Sequence, residues 1–342
     1  MIASDSSVEK QVKAFCAKIG DDPLLVQGAG GNVSWKDGSV LWVKASGMWL
    51  ADAESKEIFV PVNLRPLQDA LAKQDFSVSP EIASNSGLRP SIETLLHALM
   101  PHRVVVHLHA VEILAYLVRI NARQKIQDLV GDAVNWIFVD YVKPGADLAR
   151  AIAEELKSRP TAEVIFMASH GVVVGGANID DITATMHTLN SKLQSKTSTF
   201  EPKISKATRK SDFLTRGYMP CSDREVNQLA IKEELIGRLR NEWALYPDHV
   251  VFLGAEATIL ERNFTILEID DVLYNKPPFI FAVGEGVYES LSASPGQKSQ
   301  LRCYYDVVSR LGGEEMLSAF SKLKVSELLS WDAEKHRIEL HI

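Results

Sequence analysis

Residues 104–109 (VVVHLH) and residues 164–171 (VIFMASHG) decide the fold of this chain. Both are short apolar runs, which are typical of buried β-strands. His107 and His109 stand two positions apart in the first run, so we expect their side chains to share one face of the strand. His170 lies near the end of the second run, directly before Gly171. Three imidazoles from two strand ends would supply the three protein ligands of a catalytic zinc site, and the alternative is two buried structural histidines with one loop histidine.

Helices and strands alternate from the N-terminus to about residue 200. The apolar spacing predicts helices over residues 7–19, 91–100, 111–118, 147–157 and 178–196. Strands are predicted over residues 32–35, 40–44, 104–109, 136–142 and 164–170, with an Asp-Gly hairpin between the first two. This alternation predicts the α/β class, with a layered α/β/α catalytic domain around a central β-sheet over residues 1–200.

A polar segment over residues 197–222 is expected to be a connector. Beyond it we expect a smaller C-terminal α+β domain of unassigned role, over residues 215–342. Its predicted helices cover residues 223–243, 297–311, 314–323 and 326–337. Its predicted strands cover residues 250–253, 264–269 and 279–283.

The composition is that of a folded protein with an excess of acidic groups: 46% of the residues are hydrophobic, 24% are charged, and the formal net charge is −7. This charge argues against a nucleic acid or an anionic membrane as the main partner, and it is compatible with an anionic small-molecule substrate because local dipoles can overcome a modest net charge. The first residues lack the features of a signal peptide, and no apolar stretch approaches the ~18 residues of a membrane span. We therefore expect a cytoplasmic protein, in which Cys16, Cys221 and Cys303 are reduced thiols.

A glycine-rich loop at residues 28–32 (GAGGN) precedes the predicted hairpin rather than a helix, so it does not match the dinucleotide-binding fingerprint. Consecutive glycines can instead expose backbone N–H groups to an anion, and the alternative is a simple tight turn. Ser91 follows Pro90 and is expected to be the N-cap of a helix, where anions are favoured. Glu93 lies near the same helix start, and His97 follows one turn later on the same face.

Five ordered motifs resemble the class II aldolase/adducin family over about residues 5–200: GAGGNVS (28–34), KASG (44–47), RPSIET (89–94), HLH (107–109) and HG (170–171). This family includes zinc-dependent fuculose- and rhamnulose-phosphate aldolases, ribulose-phosphate 4-epimerases, methylthioribulose-phosphate dehydratases and the non-catalytic head of adducin. The run PSIETLLH (90–97) with HLH is most similar to the aldolase portion of rhamnulose-phosphate aldolase/dehydrogenase fusions.

The resemblance implies zinc as the cofactor, one ion per chain, held by His107, His109 and His170; another divalent metal is the alternative. It implies that Glu93 exchanges the substrate proton. It also implies that the phosphate of the substrate is held by five residues: Gly31, Asn32, Ser46, Gly47 and Ser91. Several family aldolases carry a second serine where this chain has Ile92, so one hydroxyl donor of that pocket is missing.

The implied activity is that of a class II aldehyde-lyase of carbohydrate metabolism, which cleaves a ketose phosphate or related sugar by retro-aldol chemistry. The same metal site could instead serve 4-epimerisation, dehydration or decarboxylation, although Glu93, where the epimerases usually have aspartate, favours an aldolase or dehydratase. A non-catalytic adducin-like binding module is the second alternative, and the three histidines argue against it because adducin heads lack them. We expect His97 to support the site rather than to bind the metal. The resemblance further implies a homo-oligomer, namely a tetramer whose sites lie near subunit boundaries.

Overall fold

The computed structural model describes residues 6–84, 87–195 and 209–330. The chain forms two compact units. The first comprises the described residues up to Leu117 together with Asn121–Gln194, and the second comprises Val118–Ile120 and the described residues from Ser195 onward. Across the described ranges, no helix has the length and apolar character that crossing a membrane requires.

The first unit is built on a seven-stranded sheet. Its strands are β1 (Asn32–Asp37), β2 (Val40–Lys44), β3 (Phe59–Asn63), β4 (Val104–Leu108), β5 (Trp136–Val139), β6 (Val164–Met167) and β7 (Gly171–Gly176). Their order across the sheet is β3-β2-β1-β4-β7-β6-β5. Neighbouring strands run antiparallel, except that β5 and β6 are parallel. The predicted hairpin between β1 and β2 is confirmed, because Asp37 pairs with Val40 across its turn.

Two groups of helices cover this sheet. One group consists of α2 (Leu64–Ala72), α3 (Thr94–Leu99) and α6 (Ala146–Leu156), whose apolar residues pack with inward side chains of the sheet such as Val105 and Val173. The other group consists of α1 (Ser6–Gly20), α4 (Val111–Leu117), α5 (Ala122–Val130) and α7 (Ile179–Leu193), which pack among themselves and on β1, β4 and β7. A short 3₁₀ helix, Leu50–Asp52, packs against α1. The predicted layered α/β/α architecture is confirmed.

The start of α3 differs from the prediction. The helix begins at Thr94, and Glu93 rather than Ser91 is its N-cap. The carbonyl of Ser91 accepts from the backbone N–H of Thr94 at 3.1 Å, and its hydroxyl accepts from the N–H of Glu93 at 3.2 Å, so a turn precedes the helix. Helix α7 begins where it was predicted, with Asn178 as its N-cap, whose side chain accepts from the N–H of Asp181 at 3.0 Å, but it ends at Leu193, before the predicted end near residue 196.

The second unit contains a four-stranded sheet. Its strands are β8 (Tyr218–Pro220), β9 (Ile259–Leu260), β10 (Phe279–Ala282) and β11 (Gly286–Ser290), in the order β8-β11-β10-β9. Only the β9–β10 pair among them is parallel. The described helices of this unit are α8 (Lys210–Leu214), the 3₁₀ helix Val226–Ala230, α9 (Glu233–Asn241), α10 (Pro247–Leu253), α11 (Ile266–Leu273), α12 (Pro295–Val308) and α13 (Lys322–Leu329). The sheet and helices together form the α+β unit that was expected.

Two predicted strands of the second unit are helices. Residues 250–253 lie in α10 and residues 264–269 lie largely in α11. Pro247 occupies the first turn of α10, and Thr265 with Glu268 forms a reciprocal capping box at the start of α11. Short apolar runs do not separate a buried strand from a buried helix, and here the residues at the helix starts favour the helix.

Three other predictions for this region also differ. The single helix over residues 223–243 is replaced by the 3₁₀ helix Val226–Ala230 and by α9. Residues 314–321 form turns and extended chain instead of a helix. The connector at residues 197–222 contains α8 and β8 in its described part, while residues 196–208 lie outside the described residues. The same holds for residues 331–337 of the last predicted helix.

Candidate metal centre

The three predicted histidines meet at one end of strand β4. His107 lies within β4 and His109 follows it directly, whereas His170 lies in the turn between β6 and β7. The pairing of β4 with β7 brings the two segments together, with Leu108 opposite Val172. All three histidines are buried, and one ligand atom from each lies within 4.8 Å of the others. The structure thus brings together the residues that the sequence spacing singled out.

The turn that carries His170 is locally constrained. Ser169 has a φ of +49°, which is in the left-handed region that residues other than glycine rarely adopt. A Cβ atom on Gly171 would lie 2.5 Å from the carbonyl oxygen of Leu108 and 3.0 Å from ring carbons of both strand histidines. A glycine is therefore required where β7 begins, which explains the His-Gly pair in the sequence.

A backbone hydrogen bond fixes the tautomer of His107. Its Nδ1 lies 3.1 Å from the carbonyl oxygen of Val172, and because a carbonyl only accepts, Nδ1 carries the proton. The lone pair is then on Nε2, which faces Nε2 of His109 at 3.1 Å. Histidines that bind a metal commonly donate from their other ring nitrogen in this way.

The donor set fits a divalent metal. Tetrahedral zinc with Zn–N bonds of ~2.0–2.1 Å places its ligand nitrogens about 3.3 Å apart. The distance of 3.1 Å between Nε2 of His107 and Nε2 of His109 is close to this value. Three imidazoles also leave a coordination position for substrate, and imidazole suits zinc and several other divalent ions.

Glu93 lies against this cluster at the start of α3. Its Oε2 is 3.5 Å from Nε2 of His107, and its Oε1 is 3.4 Å from Nε2 of His170. Burial by itself raises the pKa of Glu93, but His107, His170 and the hydrogen bond from Asn32 outweigh it and lower the pKa to about 2. An ionised carboxylate beside the histidines can accept a proton from a substrate carbon.

Asn32 and His97 connect strand β1 to Glu93. The Asn32 amide donates from Nδ2 to Oε2 of Glu93 at 2.7 Å, and its Oδ1 is bonded to Nε2 of His97. On its other side, Nδ1 of His97 lies 2.7 Å from Oγ of Ser34. His97 lies outside the three-histidine group. Both ends of the Asn32 amide are engaged, so its expected contact with a phosphate would compete with these bonds.

The other residues expected to hold a phosphate lie on adjoining loops. The N–H groups of Ser46 and Ser91 donate hydrogen bonds of 2.9 and 3.1 Å, each to a backbone carbonyl of the segment that contains the other serine. The two serines are therefore neighbours. Gly47 has a φ of +76°, which favours glycine. Gly31 has a φ of +62°, and a Cβ atom there would lie 2.8 Å from the carbonyl oxygen of His107. The glycine-rich loop is therefore pressed against the strand that carries the metal ligands.

Lys44 is a residue of this region to which the sequence analysis assigned no role. It ends β2 with 2% of its surface exposed, and its Nζ donates to the carbonyls of Ala29 at 2.8 Å and Met48 at 2.6 Å. This buried ammonium connects the glycine-rich loop to the turn at Ser46 and adds positive charge there. A lysine at an inward position of an apolar strand is the signal that could have identified it, because a buried lysine needs partners.

The first unit is similar to known proteins. The sequence model of the Class II Aldolase and Adducin N-terminal domain matches residues 10–197. A curated relative from Bacillus subtilis (strain 168), "uncharacterized oxidoreductase YuxG", is 34% identical over 173 residues. The alignment covers 46% of this chain and 25% of the relative, so this chain spans about a quarter of the length of that protein.

Solved structures that resemble part of this chain include the N-terminal class II aldolase domain of a conserved protein from Thermoplasma acidophilum. That domain is 26% identical, with a TM-score of 0.46 over 57% of this chain and 95% of its own. An L-fuculose-1-phosphate aldolase from Thermus thermophilus is 18% identical, with a TM-score of 0.36 over 54% of this chain and 92% of its own. The family match over residues 10–197 contains all the residues of the site described above. The chain belongs to the class II aldolase and adducin family.

Proposed function

We propose that the first unit is a zinc-dependent aldolase, which cleaves a ketose phosphate or a related sugar by retro-aldol chemistry. One observation carries this proposal: Glu93 lies 3.5 and 3.4 Å from ring nitrogens of two buried histidines that belong to a three-histidine group. A proton-transfer group beside a Lewis-acid site is what the enolisation of a ketose requires. We propose one zinc ion per chain, with His107, His109 and His170 as its ligands.

The proposed chemistry divides between the metal and Glu93. When bound, the metal supplies Lewis acidity, which favours negative charge on the carbonyl oxygen of the substrate. In cleavage, the bond breaks between the carbon next to the carbonyl and the hydroxyl-bearing carbon beyond it, and the electron pair stays with the ketone fragment. The hydroxyl loses its proton to a base or to solvent, and its carbon leaves as an aldehyde. In cleavage, Glu93 takes up a proton from solvent and gives it to the carbon of the ketone fragment; in condensation its carboxylate removes that proton.

Replacement of Glu93 tests this role. Glu93→Gln should keep the zinc and lose about 10²-fold or more in kcat, because general acid–base groups typically contribute about 10²–10⁴-fold. The measurements are zinc content by mass spectrometry and aldehyde release from a panel of ketose 1-phosphates. Glu154→Gln, on the exposed side of α6, is the matched control and should behave as the wild type. A loss below about tenfold would remove Glu93 from the proton transfer.

The same panel separates the other reactions of the family. Aldehyde release identifies an aldolase, whereas an isomeric sugar phosphate without aldehyde would identify 4-epimerisation. Loss of water or of carbon dioxide would identify a dehydratase or a decarboxylase on the same metal site. A wild type that binds zinc and turns over none of these substrates would point to a non-catalytic, adducin-like module. A folded wild type that binds no divalent ion after reconstitution would contradict the metal site itself.

The phosphate is proposed to lie against Gly31, Ser46, Gly47 and Ser91, with Asn32 beside them. Ser91→Ala should raise KM for a phosphorylated ketose several-fold more than KM for its dephosphorylated form, since a hydroxyl donor to the phosphate is lost. Steady-state kinetics on the matched pair of sugars gives both values. Equal changes for the two sugars would mean that Ser91 serves the turn before α3 and not the anion.

We also propose that the protein is a cytoplasmic homotetramer, with residues 1–200 as its catalytic domain and residues 215–342 as a C-terminal domain. The tetramer is the assembly that the resemblance to the family implies. A closed ring of this kind repeats one interface and can complete each site from a neighbouring subunit. Light scattering at assay concentration tests it. A monomer with full activity would contradict any need for a neighbouring subunit.

A further inference from the structure

A continuous row of buried hydrogen bonds leads from strand β1 to the Glu93 carboxylate. Oγ of Ser34 lies 2.7 Å from Nδ1 of His97, Nε2 of His97 is bonded to Oδ1 of Asn32, and Nδ2 of Asn32 donates to Oε2 of Glu93 at 2.7 Å. None of the four residues is more than 6% exposed. Water therefore does not replace these partners unless the structure opens.

Two elements supply this row, and each contributes two members. Asn32 and Ser34 are two positions apart in β1, so they share one face of the strand and contact His97 from both ends of its ring. Glu93 and His97 are four positions apart at the start of α3, so they lie on one face of the helix. The row therefore connects the sheet to the residue that we assign to proton transfer.

The donors and acceptors along the row can be assigned in only one way, starting from the Glu93 carboxylate. The ionised Glu93 carboxylate only accepts, so Asn32 must face it with its NH₂ group, and its Oδ1 is left as an acceptor. Nε2 of His97 must then carry a proton and donate to Oδ1. Nδ1 of His97 is left to accept from the Ser34 hydroxyl. Burial lowers the pKa of His97 to about 3, which agrees with this neutral tautomer.

We propose that His97 is a positioning residue, which acts through Asn32 to hold the Glu93 carboxylate in its reactive orientation. This inference rests on the proposed function of Glu93. An asparagine amide can turn over by half a rotation at little steric cost, and its oxygen would then repel the carboxylate. The N–H of His97 can donate to Asn32 only in the orientation that places Oδ1 towards His97 and the NH₂ group towards Glu93. With Oε2 held by Asn32, Oε1 faces the histidine cluster, 3.4 Å from Nε2 of His170, and accepts no hydrogen bond from a described side chain.

Nuclear magnetic resonance of the zinc-loaded protein tests the row without using activity. With ¹⁵N-labelled histidine, the His97 signals are assigned by their disappearance in His97→Gln. We expect the neutral tautomer with its proton on Nε2, and we expect it to persist from pH 8 to about pH 5, because the pKa of His97 is about 3. A proton on Nδ1, or an imidazolium at pH 7, would overturn the proposal.

A matched pair of variants tests the effect on Glu93. In His97→Gln the amide nitrogen can take the place of Nε2 and donate to Asn32, whereas in His97→Asn the shorter amide reaches Ser34 but not Asn32. The probe is dihydroxyacetone phosphate, the fragment that retro-aldol cleavage of a 2-ketose 1-phosphate releases. Its carbon-bound protons exchange with D₂O only if the proton-transfer step works. We expect exchange within about threefold of the wild type for His97→Gln and at least about tenfold slower for His97→Asn, with equal zinc content.

The outcomes separate this inference from the proposed function. Wild-type exchange in His97→Asn, or loss of zinc from both variants, would overturn the positioning role. If His97→Asn does not fold, Ser34→Ala replaces it, because it removes the hydroxyl that bonds to Nδ1 and supports the His97 ring, and wild-type exchange there would overturn the role. If the zinc-loaded wild type exchanges no proton of the probe, the aldolase proposal fails. In that case two other measurements test the positioning role, namely the His97 tautomer and a crystal structure of the folded variant. An unchanged Asn32–Glu93 hydrogen bond in that variant would overturn the inference.

Discussion

Gly171 leaves no room for a side chain between β7 and the end of β4. A Cβ atom there would lie 2.5 Å from the carbonyl oxygen of Leu108 and 3.0 Å from ring carbons of His107 and His109. Gly171→Ala should therefore displace both rings, although it removes no ligand atom. Because residues that orient metal ligands typically contribute about 10–100-fold to affinity, we expect a loss of that size in zinc affinity. Competition with a chelating indicator measures it.

Gly237→Ala is the control for this prediction. Gly237 lies in α9, with open space around the position of a Cβ atom and a φ in the ordinary range. Alanine there should leave zinc affinity unchanged and should stabilise the helix by up to about 1 kcal/mol. If Gly171→Ala binds zinc as tightly as the wild type, the close approach of β7 does not shape the site.

The residues that sequence could identify are those whose spacing maps directly onto one element. His107 and His109 share a strand face by their separation alone, and Glu93 and His97 share a helix face in the same way. The bonds from Asn32 to Glu93 and from Lys44 to the glycine-rich loop join segments that are distant in sequence. These bonds depend on how β1, β2 and α3 pack together, and a local sequence pattern does not predict that packing.

Helix α10 carries a histidine into the interior of the second unit. The His249 ring is fully buried, and ring centroids of Trp243, Tyr304 and Tyr246 lie 4.2, 4.8 and 5.4 Å from it. Neither ring nitrogen has a hydrogen-bond partner among the described residues. Burial lowers the pKa of His249 to about 3. The imidazole is therefore neutral in the folded protein throughout the ordinary range of pH.

This burial predicts a loss of stability in mild acid. Above about pH 6.5 the imidazole is neutral in both the folded and the unfolded chain, and its titration contributes nothing. Below that pH the unfolded chain binds a proton that the folded chain does not, so stability falls as pH decreases, down to the folded pKa of about 3. Between pH 7.5 and 5.5 the free energy of unfolding should fall by about 1.4 kcal/mol more in the wild type than in His249→Phe.

Urea unfolding at the two pH values, with a chelator present to exclude metal binding, measures this difference. His187→Gln on the exposed face of α7 is the matched control and should keep the pH dependence of the wild type. An identical pH dependence in His249→Phe and in the wild type would contradict a neutral, buried His249.

Helices α10 and α11 show why secondary structure was predicted incorrectly in parts of the second unit. Residues 250–253 (VVFL) and 264–269 (FTILEI) read as strands by composition, yet the first run lies in α10 and most of the second lies in α11, which begins at Ile266. In the first unit the apolar runs alternate with clear amphipathic helices, and the order of elements restricts each run to a strand. In the second unit the runs are short and the surrounding pattern is weak, so the helix starts at Pro247 and Thr265 were the more informative signals.

At the scale of the whole molecule, the chain divides into two units with separate cores. All three candidate metal ligands and Glu93 lie in the first unit, whereas His249 and its aromatic neighbours lie in the second. A ligand that binds only the folded state stabilises the part of the protein that must be folded for the ligand to bind. We therefore expect zinc to act unequally on the two units.

Hydrogen exchange measured by mass spectrometry, with and without zinc, makes this inequality visible. At a free zinc concentration of about 100 times Kd the linked stabilisation is about 2.7 kcal/mol, so amides of β4 and β7 that exchange by unfolding should exchange about 100-fold more slowly. Amides of α10 and α12 should exchange at the same rate in both conditions. The His170→Ala variant controls for nonspecific effects, since zinc should protect neither unit when one ligand is missing. Equal protection of both units by zinc would mean that they unfold as one cooperative body, and protection confined to the second unit would place the metal elsewhere.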